Sequence, residues 1–158
     1  MAIKYLLVFL AGFLSCAFIF YGFLNTPLEF PFGTGLLSYD LSAPSNWIND
    51  EDIILLDDRI ILKINDATLS SYAPTGSMKP LFDEGANGIR IVPKSEDDIE
   101  VGDIVSFRVG EYLVVHRVVD KRIDEEGVYF LTKGDNNILS DGKIRFDDIK
   151  YVTIGVLW

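Results

Sequence analysis

Residues 5–24, YLLVFLAGFLSCAFIFYGFL, form an unbroken apolar run without a single charge. A helix of ~20 residues rising ~1.5 Å per residue spans a ~30 Å hydrocarbon layer, so this run restricts the fold before anything else does. A cleaved export signal would carry a shorter apolar region of ~7–15 residues ending in a small-residue site. Here Asn25-Thr26-Pro27 follows, without an Ala-x-Ala pattern. Lipid attachment at Cys16 fits poorly too, because Phe13-Leu14-Ser15 precedes it and the run continues to Leu24. The expectation is an uncleaved N-terminal transmembrane anchor, residues 1–24, seated in the lipid bilayer. Lys4 precedes the run and Glu29 is the first charge after it. Basic residues stay on the cytoplasmic side, so the N-terminus is expected inside and the rest of this single-pass chain outside the cytoplasm.

All 24 acidic residues follow the run, and the chain of 158 residues has a formal net charge of −10. Such a surface repels phosphates, which argues against a nucleic-acid partner. One cysteine excludes an intramolecular disulfide framework and a Cys-cluster zinc site, and one histidine excludes His-rich metal chemistry. Neither the phosphate loop nor the dinucleotide fingerprint occurs, and no cofactor is expected.

Residues 25–50 contain Pro27, Pro31 and Pro44 and show no clear period. They read as a membrane-proximal linker, or equally as a stalk with Phe30, Phe32, Tyr39 and Trp47 in the headgroup zone. From residue 51 the pattern changes to short β-type runs at 53–56, 59–64, 89–92, 104–109, 112–119, 128–132 and 151–157. The first two flank Asp57-Asp58, as a hairpin would. Seven such runs imply a mainly β domain over 51–158, a compact antiparallel sheet or barrel-like core. Acidic pairs such as Asp97-Asp98 and Asp147-Asp148 fall between runs and read as solvated turns. A calcium loop is the weaker reading, since Asp135-x-Asn137-x-Leu139 breaks the required alternation of ligands.

Three places could carry chemistry. In Ala73-Pro74-Thr75-Gly76-Ser77-Met78-Lys79-Pro80, glycine and two prolines impose an unusual backbone path around two hydroxyls. In Val114-Val115-His116-Arg117-Val118-Val119, alternation puts His116 on one face with Val114 and Val118, and Arg117 on the other. In Thr132-Lys133-Gly134-Asp135-Asn136-Asn137, followed by Asp141, carboxylates sit among turn residues. Each has a bland reading as a structural loop, a core histidine or loop capping. Together they supply an acyl-transfer set. A serine hydroxyl needs a base, neutral imidazole can serve, and a carboxylate orients the ring and stabilises its cation.

The ordered set Ser77-Met78-x-Pro80, Gly102-Asp103-Ile104-Val105-x-Phe107, Val115-His116-Arg117-Val118 and Lys133-Gly134-Asp135-Asn136-Asn137 with Asp141 resembles the type I signal peptidases. The branch is the archaeal and endoplasmic-reticulum one, in which histidine stands where most bacterial relatives use lysine. The resemblance covers roughly residues 70–155 and the anchor. It implies a membrane-anchored serine endopeptidase that cleaves signal peptides from secretory preproteins after small residues, in the cell membrane or the endoplasmic-reticulum membrane. It implies Ser77 as nucleophile, His116 as general base, Asp141 as the orienting carboxylate and Asp135 as a supporting one. It ranks Asp141 above Asp135, whereas the residues themselves do not separate them. Thr75 and Met78 are implied at the oxyanion and substrate positions, with the Ser77 N–H as a further oxyanion donor. Partner subunits of a secretion machinery are a further expectation. The alternative is a catalytically inactive domain of the same type that binds exported chains or scaffolds a secretion complex.

Overall fold

A computed structural model of the chain describes Lys4, Tyr5 and residues 41–158. The expected anchor, apart from Lys4 and Tyr5, and the linker up to residue 40 lie outside the described residues. Among the described residues no helix is long and apolar enough to cross a membrane.

The domain is mainly β and antiparallel, as expected. A small hairpin comes first, β1 (Ile53–Leu55) against β2 (Ile60–Leu62), closed around Asp57-Asp58 with Ile54 opposite Ile61. Seven further strands form one sheet: β3 (Thr68–Ser71), β4 (Asn87–Ile91), β5 (Ile104–Val109), β6 (Tyr112–Asp124), β7 (Gly127–Lys133), β8 (Lys143–Ile144) and β9 (Ile149–Leu157). Among the described residues their spatial order is β3-β4-β9-β5-β6-β7-β8. Register shifts at Ile89/Arg90, Ser106/Phe107 and Val118/Asp120 introduce bulges, which bend a sheet and raise its twist.

The bent sheet has two apolar clusters. One gathers Ile99, Val105, Phe107, Val118, Phe130, Ile144, Ile149 and Val152. Phe107 and Phe130 are fully buried, and each such side chain contributes about 1.5–3 kcal/mol. The other gathers Met78, Phe82, Ala86 and Ile104, with Val115 against them. Strand β6 feeds both. Its period of two sends Val114 and Val118 to the first cluster and Val115 to the second.

The end of the expected linker belongs to this core. Trp47, which the stalk reading puts in the headgroup zone, packs instead against the first cluster and brings its Nε1 to 3.4 Å from Asp103 Oδ1. Asp103 is fully buried and accepts from the Ser45 N–H at 2.7 Å and the Glu100 N–H at 2.9 Å. A buried carboxylate needs such donors, and residues 42–47 supply most of them. Those residues form a strap fastened to the sheet.

Candidate active site

His116 lies on β6 opposite Val105 of β5, buried at 6% exposure with the Phe107 ring 6.2 Å away. Its Nδ1 is 2.7 Å from Asp141 Oδ2. That same oxygen accepts from the Thr132 hydroxyl at 2.9 Å, and the Asp141 N–H donates to the Thr132 carbonyl at 2.8 Å. The last turn before β8 is thereby tied to β7, with its carboxylate aimed at the imidazole. With Nδ1–H given to Asp141, a neutral ring carries its lone pair on Nε2, the arrangement a general base requires.

Asp135 is placed elsewhere. Arg117 grips it through Nε to Oδ1 at 2.8 Å and Nη2 to Oδ2 at 2.7 Å, with both side chains almost sealed from water. The remaining Nη1 donates to the carbonyls of Ser42 and Gly102 at 3.1 and 2.9 Å. Strand alternation puts Arg117 on the face away from His116, so the two carboxylates that were indistinguishable in sequence serve opposite faces of β6.

Ser77 sits in the loop between β3 and β4, and contacts from several sides hold the loop. The Gly76 N–H donates to Asp83 Oδ1 at 2.9 Å, while Lys79 pairs with Asp83 Oδ2 at 2.9 Å. Lys79 first, and the Gly76 N–H next, hold the Asp83 carboxyl below its ordinary value. The Asn136 N–H donates to the Ser77 carbonyl at 2.8 Å, and its side-chain amide to the Gly76 carbonyl at 3.0 Å. Finally, Gly134 brings its backbone so close that a Cβ there would stand 2.7 Å from the Ser77 carbonyl oxygen. Met78, 2% exposed, roots the loop in the second apolar cluster. Burial holds the Tyr72 hydroxyl above the ordinary phenol value, so it stays protonated beside Thr153.

Ser77 and His116 line one cavity of about 450 Å³, with Thr75, Met78, Val115 and Asn137 among its walls. In this conformation the Ser77 hydroxyl is 3.1 Å from Thr75 Oγ1, and the Ser77 N–H points to the same oxygen at 3.4 Å. The cavity thus combines a hydroxyl, a carboxylate-held imidazole, and a second hydroxyl beside a main-chain N–H. Nucleophilic acyl transfer uses groups of these kinds. Among the described residues no cluster of three His, Cys, Asp or Glu side chains could hold a metal ion.

Thr132, Arg117 and Asp103 stood inside motifs read from the sequence but were given no role there. The available signal was periodicity. Thr132 follows Phe130 by two along β7 and so points inward, where a polar side chain needs a specific partner.

No family model matches the chain. A stretch of 70 residues is 40% identical to the signal peptidase complex catalytic subunit SEC11C of Homo sapiens, over 42% of this chain and 36% of that one. The mouse SEC11C matches to the same extent, and SEC11 of Clavispora lusitaniae is 36% identical over 69 residues, 40% of its length. The matched stretch therefore spans well under half of these relatives. Over that part, the chain is similar to signal peptidase catalytic subunits.

Proposed function

We propose that this chain is a membrane-anchored serine endopeptidase that cleaves signal peptides from secretory preproteins after small residues. The observation that carries the reading is the His116 Nδ1 to Asp141 Oδ2 contact of 2.7 Å, on the wall of the cavity that holds Ser77. The partial similarity to signal peptidase catalytic subunits points the same way.

In the proposed reaction the Ser77 hydroxyl turns from Thr75 toward the ring and gives its proton to His116 Nε2. Its oxygen bonds to the scissile carbonyl carbon, and the carbonyl electron pair moves onto oxygen. The Thr75 hydroxyl and the Ser77 N–H donate to that oxyanion. Asp141 stays ionised and stabilises the imidazolium. Collapse of the adduct breaks the C–N bond, and the imidazolium protonates the departing amine. Water then gives a proton to the same ring as its oxygen bonds to the acyl carbon, and collapse of that adduct breaks the bond to Ser77 Oγ, which takes the proton back from the imidazolium.

Strand β6 offers a place for the substrate. Residues 112–116 pair with β5 on one side, whereas β7 begins its pairing only at Arg117. Among the described residues the other edge of 112–116 has no strand partner, and those residues border the cavity. An extended peptide can add there through main-chain hydrogen bonds. The anchor would keep the enzyme at the bilayer, where a signal peptide emerges, and so raise the effective concentration of both.

Cleavage of a purified preprotein by the full chain in detergent, compared with Ser77→Ala, tests the reading. Loss of cleavage in the variant is expected. Equal cleavage by both would remove Ser77 as nucleophile. A wild-type chain that binds preprotein without cleaving it would favour the scaffold alternative.

A further inference from the structure

A second groove, of about 460 Å³, begins where the cavity ends, and the two share Tyr112 and Leu113 of β6. Strand alternation explains the continuity. Val115, which lines the cavity, and Leu113 face the same way, and Leu113 lies directly opposite Arg108 of β5. Tyr151 of β9 lies opposite Ser106, two residues before Arg108, and so joins the same face. The register shift at Ser106/Phe107 makes Lys150 the extra residue of β9, and a bulge of this kind re-aims a side chain; that of Lys150 lines the groove. The groove is cationic in an acidic chain. Arg108 and Lys150 line it, and Arg90 adjoins it through Tyr151, with its guanidinium carbon 3.9 Å from the ring centroid. The Arg90 Nε donates to Thr68 Oγ1 at 3.2 Å, and Lys150 donates to the Asp147 carbonyl. Arg108 is exposed and makes no hydrogen bond or ion pair among the described residues. Glu111 is the one carboxylate among the lining residues. The chain as a whole carries −10, so a place where cations outnumber carboxylates runs against the rest of the surface.

From this we infer that the groove is a remote substrate subsite that takes an acidic side chain, with Arg108 as the group that recognises it. The inference rests on the peptidase reading of the cavity and adds a determinant of substrate choice away from the cleaved bond. A peptide added along the free edge of β6 advances about 3.3 Å per residue, so the residue facing Tyr112 stands roughly four positions from the one facing His116. A carboxylate at that distance meets a guanidinium whose donors are not engaged elsewhere among the described residues. The planar fork of N–H groups matches a carboxylate in geometry as well as in charge. A lysine side chain at the same point meets like charge. The groove is open to water, so the discrimination is modest and weakens with salt. An anionic lipid headgroup would satisfy the same cations, but the groove continues the cavity along the free strand edge, which favours the peptide.

The test uses the full chain in nonionic detergent at low salt, with peptides based on one cleavable sequence. Aspartate or lysine is placed in turn at each position about three to six residues from the cleaved bond, on either side of it. The readout is the aspartate-to-lysine ratio of kcat/KM, which a general loss of activity does not move. The wild type is expected to show a ratio of about three to ten at one or more positions, falling toward one as salt is raised. Arg108→Gln should bring that ratio to within about twofold of one, and Glu111→Gln should raise it. A wild-type ratio near one at every position, or a ratio that Arg108→Gln leaves unchanged, overturns the inference and leaves the peptidase reading intact. A flat ratio with an activity that responds to phosphatidylglycerol in the micelles, and no longer does so in Arg108→Gln, assigns the groove to lipid headgroups and overturns the inference too. A wild-type chain that cleaves no peptide at all overturns both readings.

Discussion

His116 and Arg117 are neighbours on β6, and each holds a carboxylate from the segment that follows β7, yet the two pairs are built differently. Arg117 and Asp135 share two short hydrogen bonds and are almost closed to water. His116 and Asp141 share one, and the Asp141 side chain remains 22% exposed. The sealed pair fastens things: the strap through Ser42, the turn at Gly102 and the loop carrying Asn136, which in turn holds Ser77. The open pair leaves one ring nitrogen available. A bidentate guanidinium cannot give up its proton, while a singly held imidazole can gain and lose one at little cost. On the proposed mechanism, the difference separates holding a geometry from moving a proton, on two adjacent residues that face opposite ways.

The comparison can be broken by substitution, and the largest effect is expected at the proton-moving pair. His116→Ala should lower turnover on the order of 10⁴-fold or more, measured as preprotein cleavage under single-turnover conditions. Asp141→Asn should cost about 10³–10⁴ in kcat with little change in thermal stability, because the ring loses its oriented tautomer while the fold loses only a partly exposed contact. Asp135→Asn should act the other way round. It leaves the Arg117 charge buried without its counter-ion, and denaturant unfolding should show a loss of about 3–5 kcal/mol. If Asp135→Asn were stable and inactive while Asp141→Asn were unfolded, the assignment of the two roles would be reversed.

Smaller effects sharpen the contrast. Thr75→Val removes the proposed oxyanion donor and should cost roughly a hundredfold in kcat at nearly constant KM. The pH profile has a definite sign. A histidine base accepts a proton only when neutral, so kcat/KM should fall toward acid pH; a profile without that acid limb would remove His116 as the base. The smallest effect is expected at Asp83. Its folded carboxyl titrates below the unfolded value, so the stabilisation it gives is present above the unfolded pKa and lost as pH falls through the folded one. Asp83→Asn should therefore lower the melting temperature slightly at neutral pH, and the two proteins should converge as pH falls below the folded carboxyl's titration.

Strands built on strict alternation were legible in the sequence, and β5, β6 and the β1–β2 hairpin lie close to where the pattern puts them. β6 runs past the 112–119 run to Asp124, continuing through a bulge between Val118 and Asp120. β3 was not legible, since Thr68-Leu69-Ser70-Ser71 is a mostly polar edge strand with no face to bury. β8 has two residues, too few for any period. The strap escaped notice for another reason. It is held through its main-chain groups by side chains some sixty to seventy-five positions away, and main-chain groups carry no sequence signature. The assignment of Asp135 and Asp141 to opposite faces depended on the path of the chain after Lys133, which turn residues alone do not dictate.

If the chain is the proposed peptidase, the stretch of β6 that has no strand partner among the described residues has a consequence for how accurately a cleavage point is chosen. A chain that zips onto that edge can slide only in steps of two residues, since a single-residue slip turns every side chain away from the cavity. Miscut products should then differ from the correct one by two residues, and a cleavage ladder with single-residue spacing should not form.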